Sequence, residues 1–250
     1  MNNKKPQTIF IADLHLDASH PKAVAAFFLF LQTKAKEAEA LYILGDLFVV
    51  WAGDDDRGSL AKQVRVALQQ VAVSGTKIFL MSGNRDFLLG KDFAYHSDCI
   101  LLEDPMVVDL YGRQTLLTHG DLLCGKDALY AKFRVLTRDK KRQQMFLSLP
   151  FCIRKKTASF VHFLSCIRNV TRSRTDLKNL VQKEALLMMQ KFNVDQIVHG
   201  HIHMPFIEET TYDDKKIRHI VLGAWEEKEK NIATALVYGS NGECEMLSLM

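Results

Sequence analysis

The sequence predicts an α/β fold, and two observations support this assignment. Short apolar runs alternate with amphipathic helical segments through the first half of the chain, a pattern typical of parallel strands joined by crossover helices. Hydrophobic residues are 48% and charged residues 25% of the 250 residues, as in an ordinary globular domain with a sizeable core. We therefore expect one domain over residues 1–250 that carries one insertion.

The predicted elements follow one another in a simple order. Pro21 opens the first helix, and Ser74 and Gly75 end the second. The elements of this half are a strand at 8–12, a helix at 22–38, and a strand at 41–44. A helix at 59–74 and a strand at 77–82 come next. A loose region then leads to strands at 106–110 and 114–118.

A helical insertion is predicted from about 127 to 191, broken at Pro150 and at a turn over 169–175. From 131 to 191 the chain has 15 Lys and Arg against three acids, so this segment is about +12 and the rest about −8. This asymmetry indicates an anionic partner, or else solvated helix faces. Strands are then expected at 194–198, 207–211, 217–222, 233–238 and 243–249, the last four antiparallel.

The cysteine pattern indicates a reducing compartment. The five Cys form no CxxC pair, and the chain opens on polar residues rather than on a signal peptide. No apolar run reaches the ~18 residues of a membrane span. We expect a cytoplasmic protein.

Candidate metal ligands stand directly after five of the predicted strands. An isolated Asp there usually caps a helix, and an isolated His is usually structural, but five such ends in succession favour a metal site. Their carboxylate, imidazole and amide groups are typical ligands of Mn, Fe or Zn, and they do not indicate a thiolate site. The candidates are Asp13, His15, Asp46, Asn84, His119, His201 and His203.

Asp46 is the residue on which the others are expected to converge. It follows the apolar run 41–44 and Gly45, at the carboxyl end of a predicted strand. Its two carboxylate oxygens can bridge two metal ions about 3.5–4 Å apart, a pair that activates water for phosphoryl displacement.

These motifs, in this order, resemble the calcineurin-like metallophosphoesterases. They are Asp13-Leu-His15, Gly45-Asp46, Gly83-Asn-Arg-Asp86, His119 and Gly200-His-Ile-His203. The resemblance implies a four-layer αββα sandwich of two mixed sheets. It also implies that one metal is held by Asp13, His15, Asp46 and His203, and a second by Asp46, Asn84, His119 and His201.

Longer strings resemble the UDP-2,3-diacylglucosamine pyrophosphatase family of lipid A biosynthesis, notably 41–48, 83–90 and 221–225. The resemblance implies two divalent ions, most often Mn²⁺, and water attack at the α-phosphorus that yields UMP and 2,3-diacylglucosamine 1-phosphate. It makes the insertion a lid over the acyl chains. The catalytic residues it implies are Asn84, Arg85, His119 and His201.

Arg85 stands where many members of the superfamily have a His that protonates the leaving group. An arginine does not act as a general acid, so we expect it to clamp phosphate, or else to be a surface residue paired with Asp86. Asp127 and Tyr130 match the family's substrate contacts before the lid. Arg172, Arg174 and Lys178 are our candidates for sugar contacts in the second half of the lid, where the family's own residues have no match. Asn84 and His201 complete the predicted substrate-binding set.

The expected partners are the UDP-linked diacylglucosamine lipid and the cytoplasmic face of the inner membrane. We expect Arg154, Lys155 and Lys156 to contact that membrane surface, and the protein to be a peripheral monomer. We expect no nucleic acid partner. One alternative is a related metallophosphoesterase that acts on a nucleotide pyrophosphate or nucleic acid, which the basic insertion would suit. Another is a non-catalytic binding scaffold, which the presence of all seven ligand residues disfavours.

Overall fold

The computed structural model describes residues 6–124, 128–168, 174–225 and 233–249, without the side chains of 128–130, 162–168 and 174. The strands are β1 (Gln7–Ile11), β2 (Ala40–Leu44), β3 (Lys77–Met81), β4 (Cys99–Leu102), β5 (Met106–Leu110), β6 (Arg113–Leu117), β7 (Gln196–His199), β8 (Phe206–Tyr212), β9 (Lys215–Val221), β10 (Thr234–Gly239) and β11 (Cys244–Ser248). The helices are α1 (Pro21–Thr33), α2 (Ser59–Val73), α3 (Lys91–Ser97), α4 (Ala128–Arg138), α5 (Lys140–Leu147), α6 (Phe151–Arg168) and α7 (Arg174–Phe192).

The strands form two mixed sheets. The first has the order β11-β10-β1-β2-β3-β4, and the second has the order β5-β6-β7-β9-β8. Strands β1 to β4 pair in parallel, as do β6, β7 and β9, while the remaining pairs are antiparallel. The parallel pairing predicted for the strand–helix–strand repeat is thus confirmed.

Three apolar clusters separate four layers, which confirms the predicted αββα sandwich. Helices α1 and α2 cover the outer face of the first sheet through residues such as Phe27 and Leu68. The inner faces of the two sheets meet around Tyr42 and Val198. On the other side, α7 covers the second sheet through a stripe at helical spacing, Val181, Ala185 and Met189.

The loose region predicted after β3 contains two elements that the sequence pattern missed, α3 and β4. The start of α3 has no local capping side chain. Instead, the carboxylate of Asp54 accepts the backbone N–H groups of Gly90 and Phe93 at 3.1 and 3.0 Å. Since this cap comes from a residue far back in the chain, the usual N-cap signal is missing from the local sequence.

The tail and the helical insertion also differ in detail from the prediction. The β8–β9 hairpin joins the second sheet and the β10–β11 hairpin joins the first. The helical segment breaks additionally at Asp139, whose side chain caps α5 by accepting the N–H of Arg142 at 2.9 Å. Among the described residues, no helix combines the length and apolarity that crossing a membrane requires.

Candidate metal centre

The seven predicted ligands lie at one edge of the sandwich. The loops after β1, β2 and β3 leave the carboxyl ends of parallel strands in the first sheet, and the loops after β6 and β7 leave those of the second. Because parallel strands end at the same edge, these five loops meet, as expected for an open α/β sheet.

Asp46 occupies the middle of this meeting point. Its Oδ2 lies 3.3 Å from Nε2 of His15, and its Oδ1 lies 3.7 Å from Nε2 of His119. The backbone N–H of Arg85 donates to Oδ1 at 2.9 Å, and the Arg85 Nε lies 3.4 Å from Oδ2. Burial opposes ionisation of this carboxyl, but His119, His15 and Arg85 together lower its pKa. The carboxylate therefore faces one imidazole with each oxygen.

Asp13 offers a buried oxygen that is available to a cation. Its Oδ2 accepts the backbone N–H of His201 at 2.7 Å. Within the described part of the chain, its buried Oδ1 has no hydrogen-bond partner, and it lies 3.6 Å from Nε2 of His203. Although burial opposes the charge of Asp13, the imidazole of His203 helps to lower its pKa to about 2.

Among the described residues, two sets of three side chains each have their own ligand atoms within 4.8 Å of one another. One is Asp13, His15 and His203, and the other is Asp13, Asp46 and His119. A buried orphan oxygen and two such groups, built of carboxylates and imidazoles, fit divalent metal ions.

His119 is oriented by its surroundings. Its Nδ1 donates to the carbonyl of Leu44 at 2.9 Å, so Nε2 faces the site and lies 2.9 Å from Oδ1 of Asn84. Burial opposes a charge on His119, but the carboxylates of Asp46 and Asp13 raise its pKa to about 9. The site therefore favours a positive charge beside Nε2, which either a proton or a divalent metal supplies.

Two further histidines of the site, His201 and His15, are held neutral, which is the form that binds metal. Burial, and then the charge of His119, lowers the pKa of His201 to about 4. Burial also lowers the pKa of His15. The His201 ring lies 5.0 Å from that of His119 and is outside both compact groups, so its role as a ligand stays a prediction.

Backbone strain is concentrated at the predicted ligands. Five of them have φ in the left-handed region, at 53° for Asp13, 48° for His15, 54° for Asp46, 71° for His201 and 55° for His203. Such a conformation costs a non-glycine residue about 1–3 kcal/mol at a strained site, and it persists where function requires it. The sequence gives no warning of this feature, because none of the five is a glycine.

Asp86, the last residue of the Gly83-Asn-Arg-Asp86 motif, has a structural role that the sequence does not indicate. Its buried carboxylate accepts the backbone N–H groups of Gly83 at 2.7 Å, Leu47 at 2.7 Å and Phe48 at 3.3 Å, which ties the loops after β2 and β3 together. Burial and the nearby Asp46 carboxylate raise the pKa of Asp86 to about 6. The alternative in which Arg85 is a surface partner of Asp86 is therefore wrong, since Arg85 faces Asp46 instead.

A second pair of histidines supports the loop after β7. His199 Nδ1 donates to the carbonyl of Gly200 at 2.8 Å, so its Nε2 accepts the Nε2–H of His219, also at 2.8 Å. Burial lowers the pKa of His199 well below its usual range and that of His219 to about 4. Both rings are therefore neutral, and together they fix the loop that carries His201 and His203.

This pair predicts a loss of stability in acid. Because folding keeps His219 neutral down to about pH 4, the unfolded chain binds more protons below its usual pKa of 6.5. The free energy of unfolding should fall across that window, by about 1.4 kcal/mol at about pH 5.5 from this group alone. His219→Gln still offers an N–H to His199 but does not titrate. Urea unfolding at about pH 7.5 and 5.5 should show a smaller loss in the variant, and an equal loss in both proteins would contradict the assignment.

The predicted substrate contacts of the insertion are described only in part. Asp127 and Arg172 lie outside the described residues, as do the side chains of Tyr130 on α4 and Arg174 on α7. Lys178 lies on α7 with its ammonium 4.7 Å from the ring centroid of Phe206, a cation–π contact. Its sugar-binding role stays a prediction.

Comparison with known proteins places this geometry among phosphoesterases. The profile of the family described as Calcineurin-like phosphoesterase matches residues 7–205. A protein named UDP-2,3-diacylglucosamine hydrolase from Marinobacter nauticus is 44% identical over 220 residues, covering 88% of this chain and 90% of the relative. A protein of the same name from Salmonella paratyphi C is 44% identical over 218 residues, with 87% and 90% covered.

Proposed function

Because the chain belongs to the calcineurin-like phosphoesterase family, and is an enzyme of that family, we propose that it hydrolyses the pyrophosphate of UDP-2,3-diacylglucosamine. Water attack at the α-phosphorus gives UMP and 2,3-diacylglucosamine 1-phosphate. One observation carries the chemistry, namely the Asp46 carboxylate between His15 and His119, where it can serve two metal ions at once. The choice of substrate is supported by the name and the 44% identity of the relatives.

The proposed metal sites divide the ligands into two sets that share Asp46. Asp13, His15, Asp46 and His203 would hold the first ion, and Asp46, Asn84, His119 and His201 would hold the second. We propose Mn²⁺ for both, which their oxygen and imidazole donors suit. When bound, such a pair lowers the pKa of water and neutralises charge on the phosphoryl oxygens.

Arg85 is proposed to clamp the pyrophosphate. Its backbone is fixed on both sides, since its N–H donates to Asp46 and its carbonyl accepts the N–H of Trp51 at 3.3 Å. Its side chain is 24% exposed and borders Asp46, so the guanidinium can turn a pair of donors towards a bound phosphate. Asn84 and His201 complete the proposed contacts to the phosphoryl group.

Arg85→Ala should lower kcat/KM about thirtyfold, the value of one charge-assisted contact of about 2 kcal/mol. Mn²⁺ binding should not weaken, because the metal ligands are intact and the variant removes a positive charge beside Asp46. Steady-state kinetics and calorimetric Mn²⁺ titration test both parts. Arg85→Lys keeps the charge without the planar fork and should recover only part of the loss. Normal kinetics for Arg85→Ala would remove the clamp.

The insertion carries a surface suited to lipid. Large apolar side chains on α4 to α6 are exposed, notably Val135 at 72%, Met145 at 73% and Phe160 at 61%. Lys155 and Lys156 are exposed on α6. Arg154 is buried, and its guanidinium donates to the Asp55 carboxylate and to the carbonyl of Leu149, so its predicted contact with headgroups is wrong. An apolar surface edged by lysines suits acyl chains and anionic headgroups, which supports a lid that works at the cytoplasmic face of a membrane.

The direct test is UMP release from UDP-2,3-diacylglucosamine in detergent micelles, with and without Mn²⁺. We expect rapid release that depends on the metal, and no release from metal-stripped protein. A chromogenic phosphodiester serves as the second substrate. Metal-dependent cleavage of that diester without UMP release would keep the hydrolytic site and refute the lipid substrate, and a nucleotide pyrophosphate or nucleic acid would then be tried.

A further inference from the structure

Two arginines on α4 reach from the insertion to the loops that hold the predicted second metal. Arg134 and Arg138 are one helical turn apart and so lie on the same face of α4. We propose that they are positioning residues that fix Asn84 and His119, and so link the placement of α4 to the affinity of the second metal ion. This inference rests on the proposed dimetal site.

Arg134 acts on the loop of His119 through a buried carboxylate. Its Nη2 donates to Oδ2 of Asp104 at 2.8 Å, and its Nε donates to Oδ2 of Asp121 at 2.9 Å. The other oxygen of Asp104 accepts the hydroxyl of Thr118 at 2.6 Å and the backbone N–H of His119 at 3.2 Å. The Asp104 side chain is 3% exposed and that of Asp121 is fully buried. Arg134 therefore gives both buried carboxylates a cationic partner, and through Asp104 it holds the backbone of His119 in place.

Arg138 acts on the turn that precedes Asn84. Its Nη1 donates to Oγ of Ser82 at 2.7 Å, and its Nη2 donates to the carbonyls of Ser82 at 3.0 Å and Gly83 at 3.1 Å. A planar guanidinium can satisfy three acceptors in this arrangement, whereas an ammonium lacks the fixed fork. The backbone leading into Asn84 is therefore clamped from α4.

The two arginines converge on one pair of side chains. The Asn84 Oδ1 and the His119 Nε2 lie 2.9 Å apart, and these are the donors proposed for the second ion. His15 and His203, which are proposed for the first ion only, follow β1 and β7 instead. Because binding couplings are reciprocal, a second metal that favours this arrangement must also favour the docked position of α4.

The first test is calorimetric titration of the whole protein with Mn²⁺ alone. Arg138→Ala should weaken the second Mn²⁺ about 10–100-fold, as loss of an outer-shell contact does, and leave the first unchanged. Arg138→Lys should not restore it. Lys132→Ala, which removes an exposed charge from the same helix, is the matched control and should bind both ions normally. Arg138 is the primary site because its hydrogen bonds go to neutral groups. Its Nη2 also lies 4.0 Å from Oδ2 of Asp104, but that carboxylate keeps its bond to Arg134, so loss of Arg138 leaves no buried charge unpaired.

The second test is hydrogen exchange of the α4 amides. Mn²⁺ should slow their exchange in the wild type and in Lys132→Ala but not in Arg138→Ala. The proposal would be overturned if Arg138→Ala bound both Mn²⁺ ions within about twofold of the wild-type affinities. It would also be overturned if Mn²⁺ did not change the exchange of the α4 amides in the wild type. Failure of the wild type to bind a second Mn²⁺ would instead refute the dimetal site itself, before any variant is compared.

Discussion

Asp46→Ala should lower kcat/KM by at least about a thousandfold, which corresponds to about 4 kcal/mol of transition-state stabilisation. The substitution removes the one carboxylate that faces His15 with one oxygen and His119 with the other. Both proposed metal ions lose a ligand at once, and a metal pair provides both the activated water and the charge neutralisation. Calorimetric titration should show that tight binding of Mn²⁺ is lost, and kinetics with the lipid and the chromogenic diester should fall together.

Asp98→Ala is a matched control for this experiment. Asp98 has φ of 53°, close to the 54° of Asp46, so both variants put an alanine into the same strained conformation. Asp98 precedes β4, which is parallel to β3, and it therefore lies at the opposite edge of the sheet from the metal centre. We expect normal activity in Asp98→Ala. Wild-type turnover in Asp46→Ala would refute the bridging role, and thermal unfolding of both variants separates loss of fold from loss of chemistry.

The positions of the strands were predictable because their signal is local. Each of β1, β2, β3, β6 and β7 is a short apolar run that ends at polar residues, and that pattern can be seen without knowing what pairs with what. The meeting of five loops depends on strands far apart in the chain, such as β6 and β7. Five polar strand ends in succession indicated that meeting point, and the resemblance to a family with the same order of motifs then divided the ligands between two metal ions. The residues quoted for that resemblance are those that meet at the edge.

The features that escaped prediction depend on contacts that are distant in sequence. The start of α3 has no local signal, because its cap comes from the distant Asp54. The edge strand β4 exposes Ile100 at 51%, so it lacks the clear periodicity of a half-buried strand. Asp86 looked like a neighbour of Arg85, but its partners are N–H groups of the loop after β2. The link from Arg134 to Asp104 spans 30 residues of the chain. Such pairs become visible only when the fold brings them together.

Gly83→Ala should lower kcat/KM about a hundredfold or more, although it removes no functional group. A Cβ at Gly83 would overlap Oδ1 and the backbone nitrogen of Asp46, and it would lie 2.8 Å from Cγ of that residue. The carboxylate cannot swing aside, because Oδ1 also accepts the N–H of Arg85 at 2.9 Å. The loops after β2 and β3 must therefore separate, which displaces Asp46 from Asn84. We expect weakened binding of both Mn²⁺ ions and a loss of about 1–3 kcal/mol in the free energy of unfolding.

Gly58→Ala distinguishes this steric effect from a general effect of replacing glycine. Neither Gly58 nor Gly83 has φ in the left-handed region, so an alanine meets no backbone strain at either position. At Gly58 the nearest atom to a Cβ is the Oδ1 of Asp56 at 2.9 Å, the end of a side chain that can rotate away at the cost of one exposed hydrogen bond, to the N–H of Gly58. Gly58→Ala should keep full activity and Mn²⁺ affinity. If Gly83→Ala does the same, the two loops do not need the close approach seen here, and the placement of Asp46 by its neighbouring loop is wrong. Loss of activity in Gly83→Ala alone, with the fold retained by circular dichroism, would show that the separation of two backbones sets the geometry of the metal pair.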